Sequence, residues 1–290
     1  TPSMIRSTPE GARDFLVPSR IHPGKFYALP QSPQLFKQLL MVSGFDRYFQ
    51  IAHCFRDEDA RGDRQPEHTQ IDMEMSFVSK EEVFDVIEGM LAHVFKQTLN
   101  IELETPFIRL SYHDAMNKYG SDKPDLRYDL EMQDFNDIAA KSSFNAFKSV
   151  VKNGGTVKAL VAPGCASYSR KQIDQLEKDA KVYGAKGLAW MKVTEEGLDG
   201  GVAKFFSDQA DEFIPSLNAK TGDLIVAVAD KWNTACTSLG AVRSRLGKEL
   251  GLATPGTFRF GWIVDFPLFE WNEDKEHWEA AHHMFTMPQE

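Results

Sequence analysis

The residues best suited to chemistry in this chain lie in one stretch, 49–77, which reads FQIAHCFRDEDARGDRQPEHTQIDMEMSF. In its first part Gln50, Ala52, Cys54 and Arg56 alternate with Phe49, Ile51, His53 and Phe55. In its last part Gln70, Asp72, Glu74 and Ser76 alternate with Ile71, Met73, Met75 and Phe77. A period of two predicts half-buried strands, each with a greasy face and a polar face, joined by a long charged loop. Arg, Gln, Asp and Glu gathered on one polar face are not ordinary solvent exposure. They predict the floor of a site for a ligand charged at both ends. A guanidinium suits the anionic end, because it is always ionised and grips phosphate oxygens in a fork. The plain structural alternative for Arg56 is an ion pair with Asp57, Asp59 or Asp72.

The neighbouring elements must position that floor. Residues 32–44, SPQLFKQLLMVSG, predict a helix with Ser32 as N-cap, Pro33 in the first turn and Gly44 as the stop. Leu35, Phe36, Leu39 and Leu40 fall on one face of it, and Lys37 on the side away from that stripe. A second amphipathic helix follows the hairpin. Ser79 and Glu82 form a capping box, and Val83, Val86, Ile87, Met90, Leu91 and Val94 make its expected buried stripe. From Leu126 to about Pro255 the pattern shifts to an α+β region with glycine-rich loops, read as an inserted domain. The segment FGWIVDFPLFEW then reads as a strand returning to the first domain. The expected division is 1–125, 126–255 and 256–290, with fold class α+β.

The chain has 290 residues, 42% hydrophobic, enough for one large or two ordinary domains. No run of about 18 apolar residues occurs, so no transmembrane helix and no membrane partner are expected. The first residues lack the apolar core of a signal peptide. Cys54, Cys165 and Cys236 are scattered, with neither disulfide nor metal spacing, and read as free thiols in a reducing cytoplasm. Net charge is −9, with the middle of the chain near neutral and both ends acidic. That excludes a global basic field as the means of holding nucleic acid; RNA contact would be local, and DNA is not an expected partner.

CFRDEDARGDRQPEHTQIDMEMSF resembles motif 2 of the class II aminoacyl-tRNA synthetases in their bacterial aspartate-specific form. Residues 7–20, 27–41, 119–127 and 265–288 resemble the same family, in the family's order from one end of the chain to the other. The resemblance implies a catalytic core with an antiparallel sheet flanked by helices, interrupted by the bacterial insertion domain. It implies activation of aspartate by ATP and transfer to tRNA(Asp), with a homodimer as the full-length form. By the same resemblance Arg56 contacts the ATP α-phosphate, Glu58 serves the adenine or the terminal adenosine of tRNA, and Gln65 and His68 complete the ATP site. Lys37 takes the aspartate β-carboxylate, while Ser32, Gln34 and Asp72 hold the ammonium group. Glu10 belongs to a lid, and His282 and His283 lie near the substrate carboxylate. On residue type alone, Lys37 reads as a solvated helix-surface lysine, Ser32 as an N-cap and Glu10 as part of a surface turn.

Two departures stand out. His68 occupies a place where the family usually has Phe to stack on adenine; imidazole stacks with less area, so the same role with weaker ATP binding is expected. Met284 follows the His pair where Pro is typical. The His pair has no Cys or carboxylate at ligand spacing, so no zinc site is expected. Motif 3, the magnesium carboxylates and the anticodon-binding barrel of the family find no match in these residues. The chain is therefore expected to be an internal segment that makes no adenylate by itself. The alternative is a non-catalytic paralogue serving as a regulatory or RNA-binding module. A third reading, an enzyme that also charges the asparagine tRNA, stays open at this stage.

Overall fold

Local sequence sets the elements of two units, Thr1–Ile101 and Glu102–Glu290. The computed structural model describes residues 1–7, 12–59, 62, 64–272 and 275–281. Helices and strands mix throughout, as an α+β chain requires.

The first unit opens with two short antiparallel strands, β1 (Leu16–Pro18) and β2 (Phe26–Ala28). Helix α1 (Gln34–Val42) follows. It begins one residue later than a Ser32 cap would place it. Pro33 stands at the N-cap with no side-chain cap bond, so the Ser32 hydroxyl is not committed to capping. Gly44 ends the helix in left-handed backbone (φ +93°). Strands β3 (Arg47–Phe55) and β4 (Glu67–Met75) form the expected antiparallel hairpin, in a register that sets Gln50 opposite Asp72 and Cys54 opposite His68. Helix α2 (Lys80–Leu99) carries the capping box: the Ser79 hydroxyl accepts from Glu82 N–H, and the Glu82 carboxylate accepts from Ser79 N–H.

The hairpin alternates as its sequence dictates, but its faces are reversed in burial. Ala52, Cys54 and Asp72 are buried, whereas Phe49 is 74% exposed, Ile51 60% and Ile71 50%. Helix α1 packs on the hairpin and turns Lys37, its only buried side chain, toward Asp72 and Glu74. Leu35 and Leu39 of the expected stripe are exposed instead. The ammonium seeks its carboxylates, and a two-stranded hairpin with one helix on it covers one face only. In α2 the stripe is at best half-buried, Val94 is exposed, and the buried residue is Glu88.

The second unit begins with β5 (Ile108–Ser111) and α3 (Tyr112–Tyr119). The chain then runs through β6 (Gln133–Asp134), α4 (Asn136–Lys141), α5 (Asn145–Lys152), β7 (Thr156–Ala162), α6 (Arg170–Val182), β8 (Ala189–Thr194), β9 (Gly197–Asp199), α7 (Ala210–Ser216), β10 (Leu224–Asp230) and α8 (Trp232–Glu249). These strands make one antiparallel sheet in the order β6-β7-β10-β8-β9. Strands buried on both faces read as continuous apolar runs, as LIVAV in β10 does. One face packs Leu160, Leu224 and Val226 against Ile173 and Leu176 of α6 and Leu239 and Val242 of α8. The other packs Val157, Met191 and Ile225 against Phe135, Phe147, Phe206 and Phe213.

The returning segment is two strands rather than one. Its first piece, β11 (Gly261–Val264), pairs in parallel with β5, and after a left-handed residue at Asp265 (φ 57°) β12 (Phe269–Asn272) pairs with β13 (His277–Ala280). Helices α3 and α8 meet where Gly120 and Gly240 touch: a Cβ on Gly120 would lie 2.6 Å from Gly240 Cα. Among the described residues no helix is long and apolar enough to cross a membrane. Cys54, Cys165 and Cys236 are free and buried.

Candidate active site

The even-numbered face of the hairpin is the floor. Small Ala52 and Cys54 leave room above it, while Gln70, Asp72 and Glu74 rise from β4. At one end Lys37 reaches down from α1. Its Nζ lies 3.0 Å from Asp72 Oδ1 and 3.1 Å from Glu74 Oε2, and donates to Met73 O at 3.5 Å. Burial opposes the ammonium charge more than any single neighbour favours it. The hydrogen bonds and charges of Asp72 and Glu74 together outweigh burial, so the Lys37 pKa lies above its ordinary value. Asp72 is oriented from its other oxygen by Gln70, whose Nε2 donates to Oδ2 at 2.9 Å. Burial, with the charge of Asp72, pushes the Cys54 thiol pKa up and keeps it protonated beneath the site.

At the other end Arg56 leaves β3, its backbone N–H donating to Pro66 O at 2.7 Å. A cavity of about 210 Å³ is lined there by Arg56, Glu58, Asp59, Arg64, Gln65 and His68. The Arg56 Nε is buried and has no hydrogen-bond partner among the described residues. A buried, unpaired guanidinium N–H is costly unless an acceptor arrives, so Arg56 offers a donor to a guest in this cavity. The ion pairs considered for Arg56 from its sequence neighbours do not form among the described residues; Asp57 faces Arg13 instead, at 4.0 Å. His68 and Asp72 share a strand face four residues apart, which separates the two ends by about 13 Å.

The structure therefore brings Arg56, Glu58, Gln65 and His68 into one cavity, and sets Lys37 against Asp72. Gln34 stands three residues before Lys37 on α1, on the same side of the helix, and Ser32 is half-buried just ahead of it. Glu10, His282 and His283, with Met284, lie outside the described residues. Sequence reasoning left Arg64 and Gln31 without a role, gave Glu74 only a place on the polar face and gave Asp59 only a structural pairing with Arg56. Alternation already places Glu74 on the Asp72 face, and Arg64 sits in the same charged loop as Arg56. Gln31 gives no pattern signal, yet its side chain accepts from Ala12 N–H at 3.0 Å and donates to Asp14 Oδ1 at 2.5 Å. It ties the segment that follows residue 11 to the start of α1. Among the described residues no group of three His, Cys, Asp or Glu side chains is arranged to hold a metal ion.

Comparison with known proteins places the whole chain in one family. The family model described as tRNA synthetases class II (D, K and N) matches residues 1–290. An aspartate–tRNA(Asp/Asn) ligase of Treponema denticola is 62% identical over 293 residues, covering 100% of this chain and 50% of that protein. An aspartate–tRNA ligase of Macrococcus caseolyticus is 56% identical over 290 residues, covering 99% of this chain and 49% of its own. An aspartate–tRNA(Asp/Asn) ligase of Bacillus cereus is 57% identical with the same coverage. The chain spans about half the length of the curated relatives it matches. With the match running its whole length, the chain belongs to the class II tRNA synthetases of the D, K and N group.

Proposed function

We propose that this chain carries the amino-acid activation site of an aspartate–tRNA ligase: ATP and aspartate form aspartyl-adenylate, and the aspartyl group passes to the 3′ end of tRNA(Asp). The observation that carries the reading is one strand face with a cavity holding the unpaired Arg56 Nε at one end and a carboxylate-held ammonium at the other. Adenylate formation requires little acid–base chemistry. The substrate carboxylate attacks the α-phosphorus in line and pyrophosphate leaves, so the protein must align two anions and neutralise charge.

In this reading Arg56 takes the α-phosphate oxygens, its unpaired Nε supplying one donor. His68 stacks on adenine, with Glu58 and Gln65 on the base and sugar side. Lys37 takes the aspartate β-carboxylate, and Asp72, Gln34 and Ser32 take the ammonium. Ser32 is available for that role because it does not cap α1. Glu10, His282 and His283 keep the parts that family resemblance gives them, as lid and carboxylate neighbours. Magnesium would accompany ATP as counter-charge, and the described residues offer no cluster to hold it.

Residues 126–255 are proposed as an inserted domain. Support comes from the ladder of β5 with β11, which joins chain on either side of that stretch. A homodimer and a cytoplasmic setting complete the proposal. The non-catalytic alternative expects Arg56, Lys37 or Asp72 to be lost, and all three are present. The test is ATP–pyrophosphate exchange by the full-length gene product with each of the twenty amino acids. Exchange that depends on aspartate supports the reading; a folded full-length protein with no such exchange refutes it.

A further inference from the structure

Three protein acceptors surround the Lys37 ammonium: Asp72 Oδ1 at 3.0 Å, Glu74 Oε2 at 3.1 Å and Met73 O at 3.5 Å. The Lys37 side chain is only 9% exposed, so an incoming carboxylate reaches the ammonium only if one acceptor yields. Asp72 is the poorest choice: its side chain is 7% exposed and Gln70 anchors its second oxygen. Met73 O is backbone in the middle of β4 and moves only with the strand. Glu74 differs from both. Its side chain is 28% exposed, and its one ion pair among the described residues is the contact with Lys37.

We propose that Glu74 is an internal stand-in for the substrate side chain, holding Lys37 in the empty site and displaced by the incoming carboxylate. The inference rests on the assignment of Lys37 to the aspartate β-carboxylate made above. Its consequence is a common threshold. Every side chain that approaches Lys37 must first displace a carboxylate from an ammonium. Another carboxylate replaces that contact in kind, whereas a carboxamide exchanges a charged partner for a neutral one and loses. Glu74 thus weakens every ligand of Lys37 by a common factor, without itself contacting the bound substrate.

Exchange kinetics of the full-length gene product test this, with aspartate as substrate and asparagine as competitive inhibitor of the aspartate-dependent reaction. E74Q replaces the competing charge by an amide of equal size. The KM for aspartate and the inhibition constant for asparagine should both fall about fivefold. E74D keeps the charge but draws the oxygen back from Nζ, and should tighten both ligands in the same direction. A rise in the aspartate KM would show that Glu74 merely holds Lys37 in place and would overturn the proposal. Tightening of aspartate alone would show through-space repulsion rather than displacement, and no change in either constant would remove Glu74 from the site. Wild-type protein without aspartate-dependent exchange would sink the functional reading and this inference with it. Wild-type exchange with unaltered constants in both variants sinks the inference alone.

Discussion

The guanidinium of Arg243 lies 4.3 Å from the centre of the Tyr128 ring, with the Tyr119 ring 4.8 Å away. Arg243 is 1% exposed and pairs with no carboxylate among the described residues; its N–H groups go to the carbonyls of Leu130, Tyr128 and Asp125. One side chain on α8 therefore holds the loop between α3 and β6 by its backbone. Arg243→Met should lose about 3 kcal/mol of unfolding free energy in urea, because one buried and two part-buried carbonyls lose this donor. Amide exchange across residues 121–130 should accelerate more than exchange in β10.

Arg56→Ala should lower the rate of aspartate-dependent exchange by about 10²- to 10³-fold in the full-length protein, the scale of removing one preorganised donor from a reacting oxyanion. The side chain ends in a cavity rather than in a packed core, so thermal unfolding should change little. A large drop in thermal stability with a small drop in rate would assign Arg56 to structure.

His68→Phe should strengthen ATP binding. The larger ring adds stacking area in the same cavity, and a threefold fall in the ATP KM, about 0.7 kcal/mol, is expected. An unchanged or raised ATP KM would remove His68 from the adenine site.

Lys37→Met should destabilise the first unit by about 3 kcal/mol, since it leaves Asp72 buried without its cation. The companion variant, Lys37→Met with Asp72→Asn, should recover most of that loss while remaining inactive in exchange. Failure of the second change to restore stability would show that the pair is not energetically coupled.

Alkaline pH should erode the second unit. Burial, then the hydrogen bond to Glu131 and its charge, raises Tyr119 from 10.0 to about 12. Burial likewise raises Cys236 from 9.0 to about 11, against the pull of Lys158. Both folded values lie above the unfolded ones, so folding favours the protonated forms. Their contribution is complete below pH 9 and is lost between pH 9 and 12. The urea midpoint should be insensitive to these two groups from pH 7 to 9 and fall thereafter, and Tyr119→Phe should flatten the part between pH 10 and 12.

Strand alternation makes the hairpin legible in the sequence, and with it the face that Arg56, His68 and Asp72 share. The Ser79–Glu82 box and the apolar run of β10 are legible for the same reason: each is a local signal with one good structural solution. The burial of Lys37 is not legible, because helical periodicity ranks it as surface and only the carboxylates of a strand more than thirty residues away reverse that. The greasy positions Phe49, Ile51 and Ile71 mislead in the opposite sense, since periodicity predicts a face and says nothing of what covers it. Arg243 lacks any local pattern. Its partners lie more than a hundred residues earlier in the chain.

The open face of the hairpin has a consequence for the order of folding. Among its described residues the apolar side chains that the first unit buries are all small: Ala28, Ala52 and Cys54, with Pro30 and Pro33. The second unit closes two aromatic and aliphatic cores over one sheet. Collapse is driven by apolar area removed from water, so the second unit has its own driving force and the first depends on a surface to cover Phe49, Ile51 and Ile71. As the chain leaves the ribosome the first unit emerges earlier yet matures later. That interval is when chaperones and proteases meet it, and cellular yield should respond most to substitutions in residues that lie far from any reacting atom.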